Sequence, residues 1–187
     1  MKSLRLALFL AFSLLLSKAA LAADATVETS YALPDHGTLV MQVPSDWNHE
    51  VRKHPGDFPP TILLTGFEAS PFVVMITPRW AEAGSAGDFG TPNSIHAIVE
   101  SAAHAAEPQS VEGRLSIVTL GGGKGPGYYF NATDRAPKPG DFKYMTQGAV
   151  RVGELVCTFT ILTNEEKSTV PTKTLNMLSG AVQRPGK

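Results

Sequence analysis

Residues Gly148–Asn164, GAVRVGELVCTFTILTN, carry the clearest strand pattern in the chain. Leu155, Cys157, Phe159 and Ile161 alternate with Val156, Thr158 and Thr160, so an extended backbone sends the two sets to opposite faces. Most of these residues are β-branched or aromatic, which suits a packed, pleated surface, and Asn164-Glu165 closes the run. A shift of apolar register at Gly153-Glu154 predicts a bulge or tight turn. A chain built on this stretch has a sheet at its centre, and every other segment must either pair with that sheet or cover it.

Upstream, Thr38–Val43 is expected to be a strand, entered through Pro34-Asp35-His36-Gly37 and left at Pro44, with Trp47 packing across the sheet end. Residues 48–60 are expected to be loop, broken by Pro55-Gly56 and Pro59-Pro60. Thr61–Thr65 and Phe72–Thr77 follow as strands, the second apolar on both faces, as in a strand covered on both sides. A long Gly- and Ala-rich connection over 78–92 leads to a helix capped by Asn93 or Ser94 and ended by Pro108. Its buried stripe is expected to be Ile95, Ile98, Val99 and Ala102.

Strands are then expected at Val111–Leu120, Tyr128–Thr133 and Phe142–Gly148, with loops at 121–127 and 134–141. The chain closes with a helix over Val170–Gln183 whose Leu175, Leu178 and Val182 face the sheet. Strands in consecutive pairs with few helices predict an α+β domain, a mainly antiparallel sheet with helices packed on it.

The first 22 residues are expected to be a leader and not part of the fold. Lys2 and Arg5 precede the apolar run Leu6–Leu16, and Ala20-Leu21-Ala22 fits the small-x-small cleavage rule. The run is too short to span a bilayer, and neither a lipid-accepting Cys nor an Arg pair is present there. Cleavage predicts a periplasmic or secreted protein, a single domain from Ala23 to Lys187, with no membrane span left. The full chain carries a net charge of −1, and losing Lys2, Arg5 and Lys18 takes it to −4. That balance, without a basic run, argues against nucleic acid as a partner. Cys157 is the single cysteine, so no internal disulfide forms; its place on an apolar strand face predicts a buried, inert thiol.

The motif-like stretches lead mostly to structural readings. Gly121–Gly127, GGGKGPG, lacks the P-loop spacing and precedes an aromatic strand, so it is read as a hairpin turn. His49 and His54 stand at i and i+5, one residue beyond the spacing that lets a helix chelate zinc. His96, Glu100 and His104, at i, i+4 and i+8, do share a helical face where a metal could bridge two of them; a plain solvent-facing stripe also explains them. No GxSxG or SxxK occurs in the mature chain, and Ser85 in AGSAG lacks the nucleophile-elbow spacing. Asn131-Ala132-Thr133 is a glycosylation sequon, read as coincidental on a strand. No catalytic, cofactor-binding or metal-binding residue is therefore assigned.

The segment VPSDW, a helix after two short strands, VTLGGGKGPGYYF, YMTQGAVRVGELVCTFTILTN and the closing TKTLNMLSGAV together resemble the PsbP/Mog1-like α/β/α sandwich proteins, including small bacterial envelope members related to DcrB. The resemblance covers most of Thr38–Val182. It implies a mostly non-enzymatic accessory or binding role, as in photosystem assembly, small-GTPase partnership or effector chaperoning, and transfers no functional residue. The expectation is an exported, protein-binding accessory module. Loops 48–60, 78–92 and 134–141, with Phe58, Trp80, Phe89 and Phe142 on or beside them, are the candidate recognition elements. A hydrolase with a His/Asp-based site and an immunity or inhibitor protein for a secreted toxin are the alternatives.

Overall fold

A computed structural model describes residues 25–186 except 57, 68 and 83–86. The leader and Ser85 lie outside the described residues. The organising stretch resolves into the end of one strand and the whole of the next. Strands β8 (Tyr144–Val152) and β9 (Leu155–Thr163) pair antiparallel from Val152↔Leu155 to Tyr144↔Thr163. The register shift is a tight two-residue turn, with Gly153 at φ +62°, a conformation that favours glycine.

Around this hairpin a seven-stranded sheet forms, every pairing antiparallel. On the β9 side lie β5 (Pro71–Arg79), β4 (Thr61–Phe67) and β3 (Asn48–Arg52); on the β8 side lie β7 (Gly127–Thr133) and β6 (Val118–Thr119). At Gly148 a Cβ would collide with the Tyr128 carbonyl and press on Phe159 and Tyr129, so this close crossing of β7, β8 and β9 requires glycine.

The inner face of this sheet carries Ile62, Leu64, Val74, Ile76, Leu155, Cys157, Phe159 and Ile161, each at most 2% exposed. It packs on a second, three-stranded antiparallel sheet of β1 (Thr26–Leu33), β2 (Gly37–Pro44) and β10 (Val182–Arg184), with β2 central, and on helix α2 (Val170–Ser179). Tyr31, Leu33, Leu39, Met41 and Val43 come from the small sheet; Val170, Met177 and Leu178 come from α2. Trp47 closes the sheet end as expected, its ring 4.7 Å from that of Phe72. Cys157 is fully buried, and desolvation pushes its thiol up to about 12, so it is an unreactive core side chain.

On the outer face, helix α1 (Pro92–Ala106) rests on β7 and β8. Ile95, Val99 and Ala103 pack on Phe130, Ala132, Ala149 and Val156. The architecture is α+β: one helix, a seven-stranded sheet, then a small sheet with a second helix.

Several local expectations are corrected. Residues 26–33 and 48–52 are strands, although the second was expected to be loop; both are edge strands with mostly solvent-facing side chains, so neither carries an apolar pattern to read. Only Val118–Thr119 of the expected strand 111–120 pairs, because the chain turns at Gly113 (φ +72°) and runs Leu115 under α1. Thr91, not Asn93 or Ser94, caps α1, accepting from the Ser94 N–H at 3.2 Å, with Pro92 in the first turn. The last helix stops at Ser179, before Gly180, and Val182 lies in β10, 41% exposed and not against the sheet. Ile98, expected in the buried stripe of α1, is 37% exposed, and Ala103 takes its place in the core.

Candidate functional site

The displaced Ile98 points to the most unusual surface of the molecule. Helix α1 covers only half of the outer sheet face. On the other half, β4, β5 and β9 present three cross-strand rows, Thr65–Val73–Leu162, Leu63–Met75–Thr160 and Thr61–Thr77–Thr158, edged by the exposed Asn48, Glu50 and Arg52 of β3. Leu63 is 9% exposed and the other residues are half-buried, so these rows lie open between core and surface. Period-two alternation places them there, since their neighbours Ile62, Leu64, Val74 and Ile76 fill the inner core.

The hydroxyls of the third row are joined. His54 Nε2 lies 3.0 Å from Thr61 Oγ1, Thr61 Oγ1 lies 3.0 Å from Thr77 Oγ1, and the Thr158 hydroxyl donates to the Thr77 carbonyl at 3.3 Å. This ladder links the polar groups of the row across the strands.

Clefts bound the open half at both ends. By the C-terminus of α1, Ala106, Ser110, Phe142, Met145 and Leu162 enclose about 210 Å³, with Asp134 and Lys143 also lining it. At the opposite end His54, Phe58, Thr61, Thr77 and Arg79 form a shallow depression. A separate cleft of about 500 Å³ opens between β1 and β3, lined by Tyr31, Leu33, Val51, Phe58 and Pro60 among others. Tyr31 there is 3% exposed, and burial pushes its phenol up to about 12, which keeps it neutral.

The loop aromatics divide. Phe58 is 72% exposed at the junction of the last two clefts, and Phe142 half-lines the first. Trp80 instead stacks on His36 at 4.2 Å against the core, and Phe89 packs beneath α1, so both are structural.

The histidine candidates are dispersed. His49 lies on β3 and meets Tyr31 edge-on at 5.9 Å, whereas His54 is in the loop beyond and bonds Thr61. On α1, His96 Nδ1 sits 4.0 Å from Glu100 Oε2, and its ring leans edge-on against Tyr128 at 5.1 Å. His104 is exposed one turn further on. Among the described residues no group of three or more His, Cys, Asp or Glu is placed to hold a metal ion. The nearest approach to a base–hydroxyl pair is His54–Thr61, and no carboxylate orients that imidazole among the described residues. Sequence GGGKGPG is the β6–β7 hairpin turn, as expected, and its Gly121 carbonyl accepts from the Ser179 hydroxyl at 3.0 Å.

The open face itself was not singled out by sequence reading. A signal was present: β5 was read as apolar on both faces, and Thr61, Thr65, Thr77, Thr158 and Thr160 all fall in one alternation phase. That phase identifies a face more polar than the core and less polar than ordinary solvent-facing strand.

No protein-family model matches the sequence, and no curated protein does. A crystal structure from Bacteroides thetaiotaomicron VPI-5482 superimposes with a TM-score of 0.48 at 14% identity, over 78% of this chain. This chain spans 45% of the length of that one.

Proposed function

We propose that this protein is an exported accessory module that works by binding another protein through the open half of its large sheet. The observation that carries the reading is the row set Thr65–Val73–Leu162 and Leu63–Met75–Thr160, half-buried except for the buried Leu63, beside a helix that covers the rest of the face. Contiguous apolar surface of this kind marks interaction sites in water-exposed proteins. The resemblance to PsbP/Mog1-like accessory proteins and the leader-like first 22 residues support the same role and an envelope or extracellular location. No helix among the described residues is long and apolar enough to cross a membrane.

The test is cross-linking in the source organism with the full chain, comparing wild type with Met75→Glu, which puts a charge at the centre of the face. A partner cross-linked to wild type and lost from Met75→Glu, with the fold intact, supports the reading. A partner retained unchanged by Met75→Glu removes this face from the account.

A further inference from the structure

We propose that the open half seats a single amphipathic α-helix of the partner, laid beside α1 with an acidic end over Arg79. The inference rests on the binding-module reading above and specifies its occupant.

The first argument is width. Packed helices lie about 10 Å apart, and strands about 4.8 Å apart. With α1 centred between β7 and β8, a neighbouring helix would have its axis between β9 and β5. Its foot would then fall on Leu162 and Val73 in one row and on Thr160, Met75 and Leu63 in the next. Beyond it lie β4 and β3, and β3 continues these rows with exposed Asn48, Glu50 and Arg52, so the apolar floor is wide enough for one helix and ends before a second.

The second argument is the wall. His96 leans on Tyr128 of β7, which turns that flank of α1 away from the open half. Ile98, Ala102 and Ala105, at i, i+4 and i+7, form the opposite flank. Ala102 and Ala106 are half-buried against the sheet, whereas Ile98 is exposed. Small residues below a single large aliphatic make a wall that another helix can approach closely. A solvent-facing flank has no need of Ile98.

The other occupants fit less well. Three inter-strand spacings by six residues is roughly 300 Å² of floor, well short of the about 800 Å² per partner of a standard interface. A second copy stacked flat meets only this floor and is too weakly held, whereas a helix lying beside α1 also meets the Ile98 and Ala102 flank. An added strand would have to pair with β3, whose residues are all exposed and include His49, Glu50 and Arg52, the usual blunting of an edge.

Charge sets the direction. Arg52 is taken by Glu50 at 3.2 Å, whereas Arg79 and Lys53 have no ion-pair partner among the described residues. At the far end the cleft is lined by one residue of each sign, Asp134 and Lys143. A helix with a carboxylate at one end therefore has a preferred polarity on this surface.

The experiment places a photo-cross-linking side chain at position 75 of the full chain in the source organism, with His104 on the exposed side of α1 as the control position. Adducts are mapped by mass spectrometry, with and without Arg79→Glu, an exposed position whose change leaves the fold intact. The expected result is an adduct at position 75, absent at 104, on a helical segment ending in Asp or Glu, with its yield falling several-fold in Arg79→Glu. An adduct on an extended segment or on a second copy overturns the helix and leaves the binding face standing. A yield unchanged by Arg79→Glu overturns the acidic end. No protein adduct above the control overturns both the helix and the binding-module reading.

Discussion

The two halves of the outer face belong to one sheet and follow the same alternation, yet only one has a helix packed over it. Over β7 and β8 the outward residues include Phe130, Ala132 and Ala149, between 0% and 8% exposed beneath Ile95, Val99 and Ala103 of α1, with Tyr128, Met145 and Gln147 half-buried at its margins. Over β4, β5 and β9 they are threonines interleaved with Leu63, Val73, Met75 and Leu162, half-exposed for the most part. The covered half combines a large ring with alanines so that a helix can settle closely. The open half joins the polar groups of its Thr61–Thr77–Thr158 row internally and keeps Val73, Met75 and Leu162 partly exposed. A face meant for water would carry charge at these positions, and one meant for permanent burial would not need the threonine ladder.

The sharpest way to break this comparison is to cut into each half. Phe130→Ala should cost about 3–5 kcal/mol, because a fully buried ring leaves a cavity under α1. Met75→Ala should cost less than about 1 kcal/mol, since that side chain is only half-buried. Urea denaturation of the two variants measures the contrast, and equal losses would show that the open half is core after all. Next in size, Thr91→Ala removes the hydroxyl that accepts the Ser94 N–H and should cost about 1 kcal/mol, loosening the start of the covering helix. Its effect should appear as faster amide exchange in the first turn of α1, with the exchange of β4 and β5 unchanged.

The smallest effect concerns Glu112, in the segment that carries the chain beneath α1. Its slight burial raises the carboxyl, but hydrogen bonds from the Thr133 N–H, at 3.1 Å to each oxygen, outweigh that and hold it below its ordinary value. A lowered carboxyl contributes stability above its unfolded value, and that contribution is lost as pH falls through the folded one. Glu112→Gln should therefore lower the melting temperature slightly at neutral pH and converge with wild type in acid. A gap that widened in acid would contradict the assignment.

Legibility in the sequence followed burial. Residues 155–163 were readable because their inward phase is uniformly apolar, and the α+β class and the antiparallel pairing followed from strands in consecutive pairs. Strands β1 and β3 were not, because an edge strand owes its conformation to backbone bonds with a neighbour and needs little from its own side chains. Ile98 was misassigned for a related reason: helical periodicity gives the width of an apolar stripe, while its centre depends on which strands lie beneath it. The candidate site is a surface that no helix among the described residues covers, and a lack of covering has no motif. The threonine phase of β4, β5 and β9 hinted at it, but its meaning depended on α1 stopping at β8.

Methionine oxidation tests the central contrast most directly. Met41 and Met177 are core side chains, 1% and 4% exposed, whereas Met75 stands on the open half. Brief peroxide treatment of the purified protein, followed by peptide mass spectrometry, should oxidise Met75 well before Met41 and Met177, and treatment of intact cells should spare Met75. If Met75 in the purified protein reacts as slowly as Met41, the face is not open and the account fails; if Met75 reacts equally fast in cells, nothing occupies the face there.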